Sequence, residues 1–471
     1  MRFVSKAFVV GIFYFFISIS PVGADSWAEK IERLKPSVVN LKVTSQMGLF
    51  LDDSGEWGGT GFIVDATRGI IATNHHVTSS SPAHITINFI DGSSTEGKVL
   101  YYDPSHDFAF IQFDVSSVNL ELQQVKLGSS FDLKLQEDVL LIGNMELEEY
   151  SVKLGRVVNL VVDKGDRHSA TIHTSIDRAG GASGSPVWNI NEEVIGIHYK
   201  GSDVASFELR IEYIKDALEA IQRGEKPSRG DIGAVLHFMM LDDSIRYLSA
   251  PKEFKETYKK NFPDSTKVIT ISRATPNSSS ENILKPGDIV LSVEGQLIGN
   301  NMYLFDKLVN QKVGQNIRVT VLRSDGEHSF DLPVHDMEQQ KIKRFVRVCG
   351  ATFHEVNSEM RQVLDYHGDG VYLARSEDGG PFNIGEDDAK TPTLKKVVIL
   401  EIGGTLVHNL DDFINAAENL KDNQPTFVIY SDLYMINKAA KLQTITFDPT
   451  FGPLQVFIYD EETHTWEEEQ K

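Results

Sequence analysis

Three short stretches hold the side-chain types that acyl transfer from a peptide bond requires. Gly181-Ala182-Ser183-Gly184-Ser185-Pro186-Val187 sets serine between glycines, in a turn tight enough for backbone N–H groups to converge on a developing oxyanion. Ile70-Ile71-Ala72-Thr73-Asn74-His75-His76-Val77 is an apolar strand ending in histidines, and Asp103-Pro104-Ser105-His106-Asp107 leads into the alternating segment 108–113. Histidine, aspartate and serine at strand ends supply a general base, its orienter and a nucleophile. Each stretch offers two candidates: His75 or His76, Asp103 or Asp107, Ser183 or Ser185. The glycines centre on Ser183, and an aspartate before proline commonly caps a turn, which suits Asp103. His106, His168, His173 and His198 lack metal-ligand spacing, so no metal or other cofactor is expected.

Those strand ends must be gathered by a β-rich scaffold. Residues 37–222 read as short strands at 38–43, 61–64, 85–89, 108–113, 139–142 and 194–197, broken by Gly, Asn, Asp and Ser turns, the pattern of an all-β barrel or sandwich. Ile211, Ile214, Ala217, Leu218 and Ile221 then recur at helical spacing, and the polar, proline-containing stretch 224–228 marks a boundary. A second segment, 228–335, mixes strands with a helix, and a third runs over 345–468. Gly233-Ala234-Val235-Leu236-His237 is echoed by Gly350-Ala351-Thr352-Phe353-His354, which points to duplicated modules.

Composition narrows the classes. A chain of 471 residues, 41% hydrophobic, has material for about three domains. Its one cysteine, Cys349, excludes an intramolecular disulfide and a Cys-based zinc cluster; a buried, inert thiol is expected. A formal charge of −21 disfavours binding to nucleic acid or anionic lipid by bulk charge. Arg2 and Lys6 flank the start of an apolar run, 7–19, followed by Pro21-Val22-Gly23-Ala24, the pattern of a signal peptide cleaved after Ala24. That run is too short to span a bilayer, and removing residues 1–24 with their two positive charges leaves −23. An exported chain without a disulfide predicts a bacterial periplasmic or secreted protein with no stable membrane span.

Gly59-Thr60-Gly61-Phe62-Ile63-Val64, Thr73-Asn74-His75-His76-Val77, Asp103-Pro104-Ser105-His106-Asp107 and Gly181-Ala182-Ser183-Gly184-Ser185-Pro186-Val187 together resemble, in order, the HtrA (DegP-like) family of trypsin-fold serine proteases with PDZ domains. Their form is most similar to the fungal nuclear branch, as are Arg229-Gly230-Asp231 and Tyr459-Asp460-Glu461-Glu462-Thr463 with Trp466. This chain departs from that branch in being shorter and in carrying an export-like leader, so nuclear localisation is not carried over. The resemblance implies a mainly β chain: a chymotrypsin/trypsin-like double β-barrel over 37–222, followed by two α+β PDZ-like domains at 228–335 and 345–468. Alignment on Val77 implies His76 as base, Asp107 as its orienting carboxylate and Ser183 as nucleophile. The N–H groups of Gly181 and Ser183 would form the oxyanion hole, with Ala182 where asparagine is common. Asp177, six residues before Ser183, and Arg178 fall near the first specificity pocket, although the family generally favours aliphatic side chains there. His198, Tyr199 and Lys200 would pair with extended substrate as an added strand.

Arg229, Gly230, Asp231, Ile232 and Gly233 would present N–H groups to a peptide carboxylate, or else serve an interface module that binds no free peptide. The third segment matches that loop poorly and is assigned no peptide. Its stretch 376–396 reads as a mobile surface loop and its tail as a solvated acidic end. The family implies polypeptide substrates, C-terminal or extended peptides as ligands, and a trimer-based homo-oligomer. The activity implied is endoproteolysis of unfolded or exposed segments; the alternatives are a non-cleaving chaperone and a secreted effector protease with one target.

Overall fold

The computed structural model describes residues 26–470, except 51, 53, 146–147, 164–168, 178–179, 203–204, 378, 385–393 and 434–438. The leader-like residues 1–24 and Arg178 therefore lie outside the described residues.

Strands Val38–Ser45, Gly55–Asp65, Ile70–Thr73, Phe108–Gln112, Ser94–Asp103 and Ala83–Asn88 pair in that spatial order into a closed barrel. Alternation sends Val39, Leu41, Val43, Ile63, Ile71, Ile87 and Ile111 into its interior. A second ring runs Pro186–Trp188, Asp138–Met145, Glu148–Val162, Thr171–Thr174, Ala205–Arg210 and Glu193–Ser202, and the last strand pairs back on the first. Val139, Leu141, Val157, Ile172, Val187 and Ile195 fill it. The opposite faces of these strands, with Phe62, Ala72, Leu140, Ile142 and the fully buried Trp188, form a shared core. Helix Ile211–Gln222 buries Ile211, Ile214, Ala217 and Leu218 in the same core, the stripe its spacing predicts.

Two PDZ folds follow. In the first, strands Ala234–Met240, Lys267–Ala274, Ile289–Val293, Asn316–Arg323 and Gly326–Pro333 form a sheet with Ala234–Met240 at one edge, accompanied by helix Met302–Asn310. The second has a nine-stranded sheet that the C-terminal hairpin Gln455–Asp460 and Thr465–Glu468 extends. The tail is therefore structured: Trp466 stands edge-on to Phe345 at 4.8 Å, and Glu461 is bound by Lys226 and Lys343. Likewise the described part of 376–396 is anchored, with Phe382 and Ile384 buried and Phe382 edge-on to Phe353 at 4.9 Å. Cys349 lies in the tight turn after strand Arg344–Val348, at φ +51°, with burial pushing its thiol up to about 11. At that value it is inert as a nucleophile near neutral pH.

Candidate active site

Asn74 links the strand Ile70–Thr73 to the short helix His75–Thr78, which turns the two histidines in opposite senses. His75 is buried, stacked on Tyr102 at 4.8 Å with Nε2 2.9 Å from Ser80 Oγ. His76 stays 45% exposed at its side chain, and Asp107 grips it twice. Asp107 Oδ1 accepts the His76 backbone N–H at 2.9 Å, while Oδ2 lies 2.7 Å from Nδ1. That contact places the ring proton on Nδ1 and leaves Nε2 as the basic nitrogen. Asp107 adopts φ +58°, a left-handed conformation forced at the point where the turn 103–107 enters strand Phe108–Gln112.

The serine turn belongs to the second barrel and is bolted to the first through Thr60. The Thr60 N–H donates to the Ser183 carbonyl at 2.8 Å, and its hydroxyl donates to the Gly181 carbonyl at 3.0 Å. The same hydroxyl accepts the Asn144 N–H at 2.9 Å, and the Thr60 carbonyl accepts the hydroxyl of Thr73 at 2.7 Å. Thr73 lies three residues before His76, so one residue holds the serine turn against the strand that carries the histidine. The flanking glycines are required by space: a Cβ at Gly59 would come within 2.6 Å of Val77, and one at Gly184, φ +86°, within 2.0 Å of the Thr60 carbonyl. Gly181 also needs its positive φ of +87°, since a Cβ there would meet the Asn144 carbonyl at 2.4 Å. Ser185 turns inward with its Oγ buried.

Thr60 and Asn144 were not among the sequence candidates, although glycines on both sides of Thr60 mark a close approach. If Ser183 is the nucleophile, substituting valine at Thr60 should slow its labelling by a fluorophosphonate about 10- to 100-fold, the loss of one or two buried hydrogen bonds. The circular dichroism spectrum should be preserved. An unchanged labelling rate would show that the bolt is dispensable.

The remaining candidates separate. The His198 side chain points into the core, 3.1 Å from Glu208 and 2.9 Å from Ser206 Oγ. Its backbone is taken by the serine turn, the N–H donating to Ser185 O and the carbonyl accepting from Gly184 N, both at 2.9 Å. His198 is thus corrected from a substrate contact to a support of that turn; Tyr199, half-buried, and Lys200, exposed, line the cleft instead. Asp177 is exposed, and its carbonyl accepts from Lys153 at 3.5 Å.

The loop 229–233 is also corrected. Gly230 N donates to Asn310 Oδ1 at 2.9 Å and Gly233 N to Asp231 Oδ1 at 2.8 Å, Gly230 and Asp231 pair with Asp336 and His335, and Ile232 is buried. On the adjoining edge strand, Phe238 N donates to Asp163 of the barrel domain at 2.6 Å. Arg229 is buried against the barrels in an ion cluster. Its Nε lies 3.4 Å from Asp103, its Nη2 3.2 Å from His106 Nε2 and its Nη1 3.9 Å from Asp306. His106 Nδ1 contacts Asp103 at 2.8 Å, its ring stacks on Tyr213 at 3.9 Å, and the Tyr213 hydroxyl donates to Asp306 at 2.7 Å. Asp103 does cap its turn, accepting from Ser105 N and His106 N, but it also anchors this cluster. Burial alone would raise its carboxyl; attraction to His106 and Arg229 outweighs that and holds it far below the usual range.

Comparison with known proteins agrees with this architecture. Residues 59–197 match the trypsin-like peptidase domain family, 240–334 a PDZ domain and 341–423 a PDZ-like domain. The pro-apoptotic serine protease NMA111 of Lodderomyces elongisporus is 28% identical over 95% of this chain and 46% of its own length. The protein of the same name from Yarrowia lipolytica is 30% identical over 86% and 42%. The chain is a trypsin-like peptidase domain followed by two PDZ domains. It spans less than half the length of those fungal relatives. Among solved structures, the HtrA-type protease AlgW with tripeptide aligns at a TM-score of 0.50 and 21% identity, covering 66% of this chain and 97% of that one, a likeness of fold. The relatives are fungal, which overturns the expectation of a bacterial periplasmic or secreted protein. Among the described residues no helix is long and apolar enough to cross a membrane.

Proposed function

We propose that this chain is a serine endopeptidase that cuts unfolded or exposed polypeptide segments through an acyl-enzyme. The carrying observation is the two-point grip of Asp107 on His76 beside a Ser183 turn bolted to the same strand end by Thr60. In this reading Ser183 Oγ attacks the scissile carbonyl as His76 Nε2 takes its proton, and His76 then returns the proton to the leaving amine. Asp107 holds the tautomer and stabilises the imidazolium. The N–H groups of Gly181 and Ser183 stabilise the oxyanion, each such donor being worth roughly 2.7 to 4 kcal/mol. Substrate adds as an extended strand along residues 199–201. The first PDZ domain acts as an interface module, a role supported by the burial of Arg229 and the hydrogen bond that its edge strand donates from Phe238 N to Asp163.

The test is labelling with a fluorophosphonate together with cleavage of casein. Stoichiometric labelling and cleavage are expected; absence of both across several pH values and temperatures would overturn the proposal in favour of a non-cleaving scaffold.

A further inference from the structure

The side chain of Asn74 continues a strand pair past the point where its two backbones part. Strands Ile70–Thr73 and Phe108–Gln112 run antiparallel, with Ile70 opposite Gln112 and Thr73 opposite Ala109. Beyond Thr73 one chain enters the short helix and the other comes from the turn 103–107, so the ladder stops there. Asn74 is fully buried, and its Nδ2 donates to the Asp107 carbonyl at 2.9 Å. A carboxamide takes the place of the next backbone rung.

Asn74 immediately precedes the helix His75–Thr78, a place where Ser, Thr, Asp and Asn are favoured because a side-chain oxygen can accept an N–H of the first turn. It makes no such bond. Its Oδ1 is buried and has no hydrogen-bond partner among the described residues. The residue thus forgoes the local stabilisation of its position and carries the cost of an idle buried oxygen. What it keeps is the amide donor. Of the four favoured types only asparagine has one, and the hydroxyl of serine or threonine stands a bond nearer the backbone.

The bond goes to the residue whose carboxylate grips His76. Asp107 sits at φ +58°, a conformation uncommon outside glycine. Its Oδ1 and Oδ2 meet the backbone N–H and the Nδ1 of His76, and its carbonyl meets Asn74. Two residues one apart in sequence, Asn74 and His76, therefore hold Asp107 at three points. A rotation of the Asp107 peptide would swing the carboxylate off the ring, and the carboxamide opposes that rotation. We propose that Asn74 is a positioning residue for acyl transfer, which fixes the Asp107 backbone so that its carboxylate meets the His76 ring in the reactive geometry. This role rests on the endopeptidase reading above.

The test compares Asn74→Ser and Asn74→Ala with the wild type. Serine can cap the helix and alanine cannot, so the serine variant should melt at the higher temperature. Both lack the amide donor, so fluorophosphonate labelling should slow in both by about 10- to 100-fold, the size of a misplaced catalytic group. On a quenched peptide the loss should fall on kcat and leave KM in place. The far-downfield proton NMR signal of His76 Nδ1–H, identified by its disappearance in His76→Ala, should shift or broaden in both variants. A role confined to folding would lower the melting temperature and leave that signal where it was. That result, or a wild-type labelling rate in Asn74→Ser, would overturn the positioning role. A wild type that neither labels nor cleaves would overturn the endopeptidase reading, and the NMR signal of Asn74→Ser would still decide whether Asn74 sets the contact between Asp107 and His76.

Discussion

Ser183→Ala is expected to abolish fluorophosphonate labelling and to lower peptide-bond hydrolysis by about 10⁶ while leaving the fold and peptide affinity intact. The size of the effect follows from how the groups depend on one another. Without Ser183 Oγ, His76 has no proton to accept, and what remains is the oxyanion pocket and binding, about 10³ to 10⁴ over water. Asp107→Asn should cost about 10⁴ for a different reason. Asp107 accepts both the backbone N–H and the ring Nδ1–H of His76, and an asparagine must turn an NH2 toward one of them. The ring then loses its hold on the Nδ1 proton. Labelling of Asp107→Asn should recover part of its rate at alkaline pH, whereas Ser183→Ala should stay silent at every pH. Cleavage by Ser183→Ala at the wild-type rate would place the nucleophile elsewhere.

Local pattern carried much of this site. Strand alternation and the glycines around Ser183 depend on neighbours in sequence, so a β-rich barrel or sandwich, the serine turn and the strand-end histidines could be read directly, whereas the double barrel was legible only through the family resemblance. His198 could not, because alternation would set it on the same side as Lys200, and the register of its strand shifts between those two residues. Arg229 was misjudged for another reason. Its partners Asp103 and His106 lie more than a hundred residues away, and no periodicity connects them. Phe382 and Ile384 sit in a stretch rich in glycine and acid that composition assigns to solvent, yet two apolar side chains suffice to anchor its start.

Arg229→Met should destabilise the contact between barrels and first PDZ domain by about 3 to 5 kcal/mol, because it strips the cation from Asp103 and Asp306 and leaves both carboxylates buried. His106 still lies between them, with Nδ1 on Asp103 and Nε2 3.3 Å from Asp306, and the Tyr213 hydroxyl still donates to Asp306, but neither replaces the guanidinium. Calorimetry should show the earliest transition moving down and separating from the rest. The pH dependence has a definite sign. In the wild type the Asp103 carboxyl is held below its ordinary value, so its contribution is fully present above about pH 4 and is lost only as pH falls toward the folded value. In the variant, burial works without that opposing charge, and the carboxyls protonate more readily in the folded state. The deficit should therefore be widest near neutrality and narrow below about pH 5. Adding Asp306→Leu, which removes one stranded charge, should restore part of the loss. A drop below about 1 kcal/mol in the single variant would mean water already screens the cluster. A large drop should also slow Ser183 labelling, because Asp103 and His106 brace the same five-residue turn that delivers Asp107 to His76.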